Sequence, residues 1–191
     1  ENNFSDFMYI SPFENYGQIL SKAEEIIGAL IRDIGLHSGP THAEFRWCKK
    51  RNCLVLIEVA FRVGGVGSIG RLCFETTGIE LNKLAIRSLT KQLELCELEG
   101  ISSKSRLYGV SLNPEIGSGG RIREIRGKDF LNEDRSVVDY HLNKSIGDYV
   151  VPYPRGVDSL GEILVVAVTA EHLDKKIDEF LHKFKVIYET E

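Results

Sequence analysis

Residues 39–65 hold two strand-like arms on either side of a short basic turn, and the elements around them must accommodate that pair. After Gly39-Pro-Thr the first arm alternates, with Ala43, Phe45 and Trp47 on one side and His42, Glu44 and Arg46 on the other, the period of a strand with one buried face. The second arm is apolar from Cys53 to Phe61 except at Glu58. Lys49, Lys50, Arg51 and Asn52 form a polar turn of ordinary hairpin length, so the arms should pair antiparallel. With Lys49 opposite Cys53 around a three-residue loop, Glu44 falls opposite Glu58, their Cβ atoms about 5 Å apart. Two carboxylates so placed repel, and a hard divalent ion such as Mg²⁺, which takes carboxylate oxygens and substrate phosphates, relieves the repulsion best. Glu58, Ala60 and Arg62 share that face in strand period, which puts a guanidinium able to fork onto phosphate or carboxylate oxygens one step beyond the ion. The plainer alternative is a solvated face on which Arg46 or Arg62 is a surface partner of Glu58.

Gly39-Pro-Thr-His-Ala-Glu44, followed by Leu56-Ile-Glu-Val-Ala-Phe-Arg-Val-Gly-Gly65, resembles the C-terminal half of an ATP-grasp ligase, and most of all the bacterial L-amino acid ligases that make dipeptides. The resemblance implies that Glu44 and Glu58 hold the Mg²⁺ (or Mn²⁺) ions of bound ATP. It implies a catalytic role for Arg62, which would stabilise the transferring phosphoryl group and the tetrahedral intermediate. Gly64 and Gly65 match the glycine-rich turn where backbone approaches the substrate, and Val66 is the nearby side chain expected to touch it. His42, on the face of Glu44, could reach the substrate or make a structural hydrogen bond. Most ATP-grasp enzymes carry Asn two residues after the second glutamate, as a further metal ligand. Here that residue is Ala60, and the amino acid ligase branch resembles this chain in having a small residue there. The likeness is strong over residues 35–95 and a matter of pattern from 104 onward.

Composition narrows the classes. At 191 residues, 42% hydrophobic and 27% charged, the chain has the make-up of an ordinary globular protein with room for one domain or two small ones. A net charge of -4 gives no electrostatic footprint for nucleic acid. No apolar run reaches the length of a membrane span, and no signal-peptide pattern opens the chain. The cysteines at 48, 53, 73 and 96 follow no metal or framework spacing, which suggests free thiols in a cytoplasmic protein. Cys48 and Cys53 fall near each other at the hairpin end, with free thiols preferred there over a disulfide. The absence of an initiator methionine reads as a piece of a longer protein.

Around the hairpin the periodicities give an α+β chain, an antiparallel sheet with flanking helices followed by a small β-rich C-terminal domain. Residues 1–97 form the first expected domain and 104–191 the second, with the Gly- and Ser-containing stretch 97–105 as boundary. Glu1 to Phe13 reads as a lead-in or partial strand. From Gly17 a helical stripe of Ile19, Leu20, Ala23, Ile26, Ile27, Leu30, Ile31 and Ile34 ends at Gly35. Gly65-Val-Gly-Ser-Ile-Gly70 satisfies the dinucleotide fingerprint, but it follows the second arm of a hairpin and no parallel strand comes after it, so that reading is set aside. His42-Ala-Glu44 has the H-x-E of zinc deaminases without the cysteine pair that should follow. Helices are expected from Ser68 to Thr77-Gly78 and from Glu80 to Leu93.

In the second domain, strands are expected at 106–112 and 121–127 with Gly117–Gly120 as the hairpin turn between them, and Arg121, Arg123 and Arg126 as a solvated sheet edge. Short strands follow at 137–142 and 148–151, then a buried strand from Glu162 whose Thr169 caps a helix carrying Leu173, Ile177, Phe180, Leu181 and Phe184. Lys185 to Glu189 closes the chain as a strand.

The function expected from the resemblance is ATP-dependent joining of a carboxylate to an amine, of amino acids in particular, through an acyl phosphate. Carboxylate and amine small molecules are the partners, with homodimerisation left open. The upstream nucleotide-binding half is absent, so the 191 residues alone are expected to be inert. A carboxylase or carbamoyl-phosphate-synthase-like ATP-grasp enzyme, or a non-catalytic relic acting as a binding module, stand as alternatives.

Overall fold

A computed structural model describes residues 8–12, 17–65, 68–94, 107–156 and 158–189. The chain divides into two compact units, one of residues 13–104 and one of residues 1–12 with 105–191. Among the described residues there are nine strands and five helices, every strand pair is antiparallel, and no helix is long and apolar enough to cross a membrane. The α+β expectation holds.

In the first unit, helix α1 (Gly17–Asp33) precedes the hairpin β2 (His42–Cys48) and β3 (Cys53–Ala60), and α2 (Ser68–Thr77) and α3 (Leu81–Leu89) follow. Helix α1 ends as expected. Gly35 takes a left-handed φ of 69°, its N–H reaches the Arg32 carbonyl, and the Leu36 N–H reaches Ile31, the paired 5→2 and 6→1 bonds of a Schellman stop. Ile26, Ile27, Leu30 and Ile31 are half-buried, while Leu20 and Ile34 at the ends of the stripe are exposed. Gly78 closes α2 in the same left-handed region, its N–H donating to Phe74.

Helix α3 departs from expectation. It stops at Leu89 rather than near Leu93, because Lys91 adopts φ 58° and the Lys91 and Gln92 N–H groups fold back onto the Ser88 and Arg87 carbonyls. Nothing in the sequence marks that stop, since a lysine stands where glycine is favoured. The stretch 97–105, expected as a domain boundary, lies outside the described residues.

The second unit holds the packed core. Strand β1 (Met8–Ser11) pairs with β4 (Tyr108–Leu112), β4 with β8 (Gly161–Ala167), and β8 with β6 (Val137–Leu142), giving the order β1-β4-β8-β6. Residues 8–11 therefore belong with the C-terminal elements, whereas the sequence reading grouped them with the first domain. Helix α5 (Ala170–Lys183) lies across β8 and β4, burying Leu173, Ile177 and Phe180, with Phe184 just past its end, against Val110, Leu112, Ile163 and Val165. Thr169 caps it as expected, its hydroxyl oxygen accepting from the His172 N–H at 3.2 Å. Leu181 is the stripe residue left 36% exposed.

A second small sheet, ordered β7-β5-β9, joins β7 (Tyr149–Val150), β5 (Gly120–Arg126) and β9 (Lys185–Tyr188) around Ile122, Val150 and Leu160. Two expectations fail here for one reason. Gly117–Gly120 is not a hairpin turn, because β4 and β5 lie in different sheets and the glycines carry the chain from one to the other. Strand β5 is the central strand of its sheet, so Arg121, Arg123 and Arg126 do not sit on an edge. Arg126 instead forks onto Glu124 at 2.9 and 3.0 Å, and Arg121 donates to the Gly147 carbonyl at 2.6 Å. The six-residue helix α4 (Lys128–Glu133) precedes β6 and was not anticipated.

One ion pair links α5 to the segment after α4. Lys176 Nζ lies 2.6 Å from Asp134 Oδ2, both side chains largely buried, and Asp134 also accepts from the Ser136 hydroxyl and N–H. Burial pushes the Asp134 carboxyl up, but the Lys176 ammonium and the Ser136 donors outweigh it and hold the pKa at about 2, against an ordinary 3.8. Since the folded value lies below the unfolded one, the contribution is complete above about pH 4 and is lost as pH falls toward 2. Asp134→Asn should therefore cost about 2 kcal/mol at neutral pH, with the gap to the parent chain closing over that acid window in urea unfolding series. Lys91→Gly should raise stability by about 0.5–1 kcal/mol by relieving the left-handed residue, read as a higher urea midpoint at unchanged slope.

Candidate functional site

The hairpin builds the candidate site through an unexpected register. Cys48, not Lys49, pairs with Cys53, so the turn has four residues, 49–52, rather than three. From there Trp47 faces Leu54, Arg46 faces Val55 and Phe45 faces Leu56. The register then shifts by one between Phe45 and Glu44, so that Glu44 faces Glu58, Ala43 faces Val59 and His42 faces Ala60. The extra residue on β3 is Ile57, a β-bulge. Consecutive exposure of Ile57 and Glu58 in an otherwise half-buried strand is its mark. The expected opposition of the two glutamates is present, but it comes from a longer turn and a compensating bulge.

The two carboxylates have few protein partners. Glu44 is 54% exposed and its Oε1 lies 3.3 Å from His42 Nε2. Glu58 is exposed and has no ion pair among the described residues. Two opposed carboxylates with no lysine or arginine ion pair among the described residues are a donor set that a hard divalent ion takes. Among the described residues no group of three or more His, Cys, Asp or Glu side chains is gathered as a complete metal cage, so an ion here would draw its remaining ligands from substrate oxygens or water, as Mg²⁺ commonly does.

Arg62 does not continue the strand face. Strand β3 ends at Ala60, residues 61–63 bend, and the Arg62 Nη1 donates to the neighbouring Val63 carbonyl at 3.1 Å. That bond uses one of five guanidinium donors, and the side chain is exposed. The expected single face of Glu58, Ala60 and Arg62 is thus interrupted after Ala60.

The glycines of the turn are explained by contact. A Cβ on Gly64 would lie 2.6 Å from His42 Nδ1, so only glycine lets the backbone pass against the imidazole. Gly65 has φ 41°, in the left-handed region, and a Cβ there would meet the end of Ile69 at 2.8 Å. His42 is therefore held between the Gly64 backbone and the Glu44 carboxylate. Val66 lies outside the described residues. The turn leads into α2, which follows an antiparallel hairpin strand, so the G-x-G-x-x-G run has no dinucleotide-binding context.

One supporting residue escaped the sequence reading. The Ser88 hydroxyl accepts the Gly39 N–H at 3.1 Å, tying the entrance of β2 to α3. Ser88 reads as one position of a packing stripe, and no local pattern signals a partner 49 residues away.

Gly64→Ala should displace the His42 ring and break its contact with Glu44 while leaving the hairpin paired. NMR cross-peaks between the His42 ring and residues 44 and 64 should vanish, with a stability loss of about 1 kcal/mol or less.

Comparison with known proteins gives a consistent relationship. Residues 116–189 match the family model described as L-amino acid ligase C-terminal domain 2. That span lies in the second unit and does not include the hairpin. The chain is similar in structure to the L-amino acid ligase of Bacillus licheniformis, with a TM-score of 0.85 and 26% identity, covering 98% of this chain and 45% of that one. It is also similar to phosphoribosylglycinamide synthetase from Anaerococcus prevotii (TM-score 0.75, 20% identity, 99% of this chain and 48% of that one). N5-carboxyaminoimidazole ribonucleotide synthetase from Thermotoga maritima follows at TM-score 0.65 and 19% identity, covering 95% of this chain and 46% of that one. The last two likenesses show the fold alone. No curated protein matches the chain. The chain spans about half the length of the structures it resembles.

Proposed function

On the premise that this chain has the fold of the C-terminal part of an ATP-grasp ligase, most like L-amino acid ligase, we propose that it contributes the metal-binding and charge-stabilising residues of an ADP-forming carboxylate–amine ligase joining amino acids. The observation that carries the reading is the direct opposition of Glu44 and Glu58, with no lysine or arginine ion pair to either among the described residues.

In the proposed reaction a substrate carboxylate oxygen attacks the γ-phosphorus of ATP, the bond to the bridging oxygen breaks, and ADP leaves. The amine of the second substrate then attacks the acyl phosphate carbon, losing a proton as inorganic phosphate departs. Glu44 and Glu58 would hold Mg²⁺ or Mn²⁺, which neutralises phosphate charge when bound. His42, pinned by Gly64, keeps Glu44 in one orientation. Arg62, with donors to spare, turns from the Val63 carbonyl onto the oxygen that becomes negative on amine attack. Gly64 and Gly65 keep the backbone beside that path clear of side chains. The phosphate-covering loop and adenine-binding lysines would come from an upstream half, so the 191 residues alone are inert. The setting proposed is the cytoplasm, either as a monomer or as a homodimer.

Ala60, opposite His42, favours the amino acid ligase over a carboxylase, since the resemblance places a metal-binding Asn there in most other branches. ADP release with Mg²⁺ and mixed amino acids is the test. The full-length protein should turn over, the 191-residue chain should not, and Glu58→Gln in the full-length protein should lower kcat by about 100-fold or more. Unchanged activity and metal affinity in that variant would leave the non-catalytic relic as the better account.

A further inference from the structure

The hairpin carries a second facing pair at its other end. Cys48 is the last residue of β2, Cys53 the first of β3, and they are direct register partners across the turn. Directly opposed residues of an antiparallel pair have Cα atoms about 4.5–5.5 Å apart, inside the range of about 4.4–6.8 Å that a disulfide spans. Both thiols are free and partly exposed. The loop between them is Lys49, Lys50, Arg51 and Asn52, all exposed, an electropositive setting of the kind that favours thiolate. The hydrogen bonds of Arg51 pull the Cys48 thiol below its ordinary value. Cys73 differs, being a helical residue whose sulfur lies 3.5 Å from the Thr77 hydroxyl.

We infer that Cys48 and Cys53 form a cross-strand dithiol that a peroxide closes to a disulfide, a reversible covalent clasp at the hairpin tip. The Cys48 thiolate attacks one oxygen of hydrogen peroxide, the O–O bond breaks, and hydroxide leaves to be protonated to water, giving a sulfenic acid. The Cys53 sulfur then attacks that sulfur, the S–O bond breaks, and a second water leaves. Two thiols are oxidised by two electrons and one peroxide is reduced to two waters. A small thiol such as glutathione reverses the step by exchange. The clasp fixes the register at the tip on the side of the Ile57 bulge away from Glu44 and Glu58.

Trypsin makes the test direct, because Lys49, Lys50 and Arg51 stand between the two cysteines. Without a bond, digestion separates residues 47–49 from residues 52–62. After brief hydrogen peroxide treatment of the native 191-residue chain and blocking of free thiols, a joined species should appear at the summed mass less two hydrogens, and reduction should split it. Cys53→Ser should abolish the species and leave a Cys48 sulfenic acid trappable by dimedone. Arg51→Ala should slow Cys48 alkylation severalfold at neutral pH. Recovery of both peptides with blocked thiols would overturn the inference, as would joining of Cys48 to a peptide containing Cys73 or Cys96. Equal closure rates in native buffer and in concentrated urea would overturn it too, since the register could then not be what brings the sulfurs together.

Discussion

Two like charges facing each other across a hairpin are a constraint before they are a site. Glu44 and Glu58 are register partners, and directly opposed like charges destabilise a sheet. Local structure could have removed the conflict by sliding the strands one residue, yet a slip would turn Phe45 and Trp47 outward. The chain keeps both apolar packing and acidic opposition, and Ile57 is the residue displaced to allow it. His42 beside Glu44 and Gly64 against His42 adjoin that kept conflict.

The second unit is built on the opposite economy. Strand β8 carries a nearly continuous buried run, Ile163, Leu164, Val165 and Ala167, between β4 and β6, with α5 laid across it. Two of its polar contacts stand out, the Thr169 cap at the start of α5 and the Asp134–Lys176 pair with Ser136. Among the described residues most of the deeply buried apolar side chains belong to this unit, whereas in the first only Leu72 and Ala85 are as fully enclosed. The matched family region falls in the well-packed unit, and the acidic pair in the thinly packed one.

What could be read from the sequence follows from how local each signal is. Helix α5 and its cap, the Gly35 and Gly78 stops and the buried β8 run were legible because period, cap and stop residues lie within a few positions of one another. The Gly117–Gly120 error had the reverse cause. Turn chemistry says that the chain bends, not which sheet it enters next, and β5 pairs with β7 and β9 from far along the chain. The same ignorance made Arg121, Arg123 and Arg126 look like an edge. Helix α4 is six residues long, too short for a period to show, and α3 is stopped by a lysine just beyond its end in a glycine conformation. At the site, residue types and the facing pair were legible, but the four-residue turn and bulge were not, because two one-residue errors in register cancel at Glu44 and Glu58.

That cancellation separates the two ends of one hairpin. A strand pair normally transmits any change in turn length along its whole ladder, whereas here an irregular position stands between tip and base and can absorb it. The outer end is thereby free to gain or lose a residue over evolutionary time, provided the slack at position 57 is taken up or paid out in step. The acidic end would not register the change.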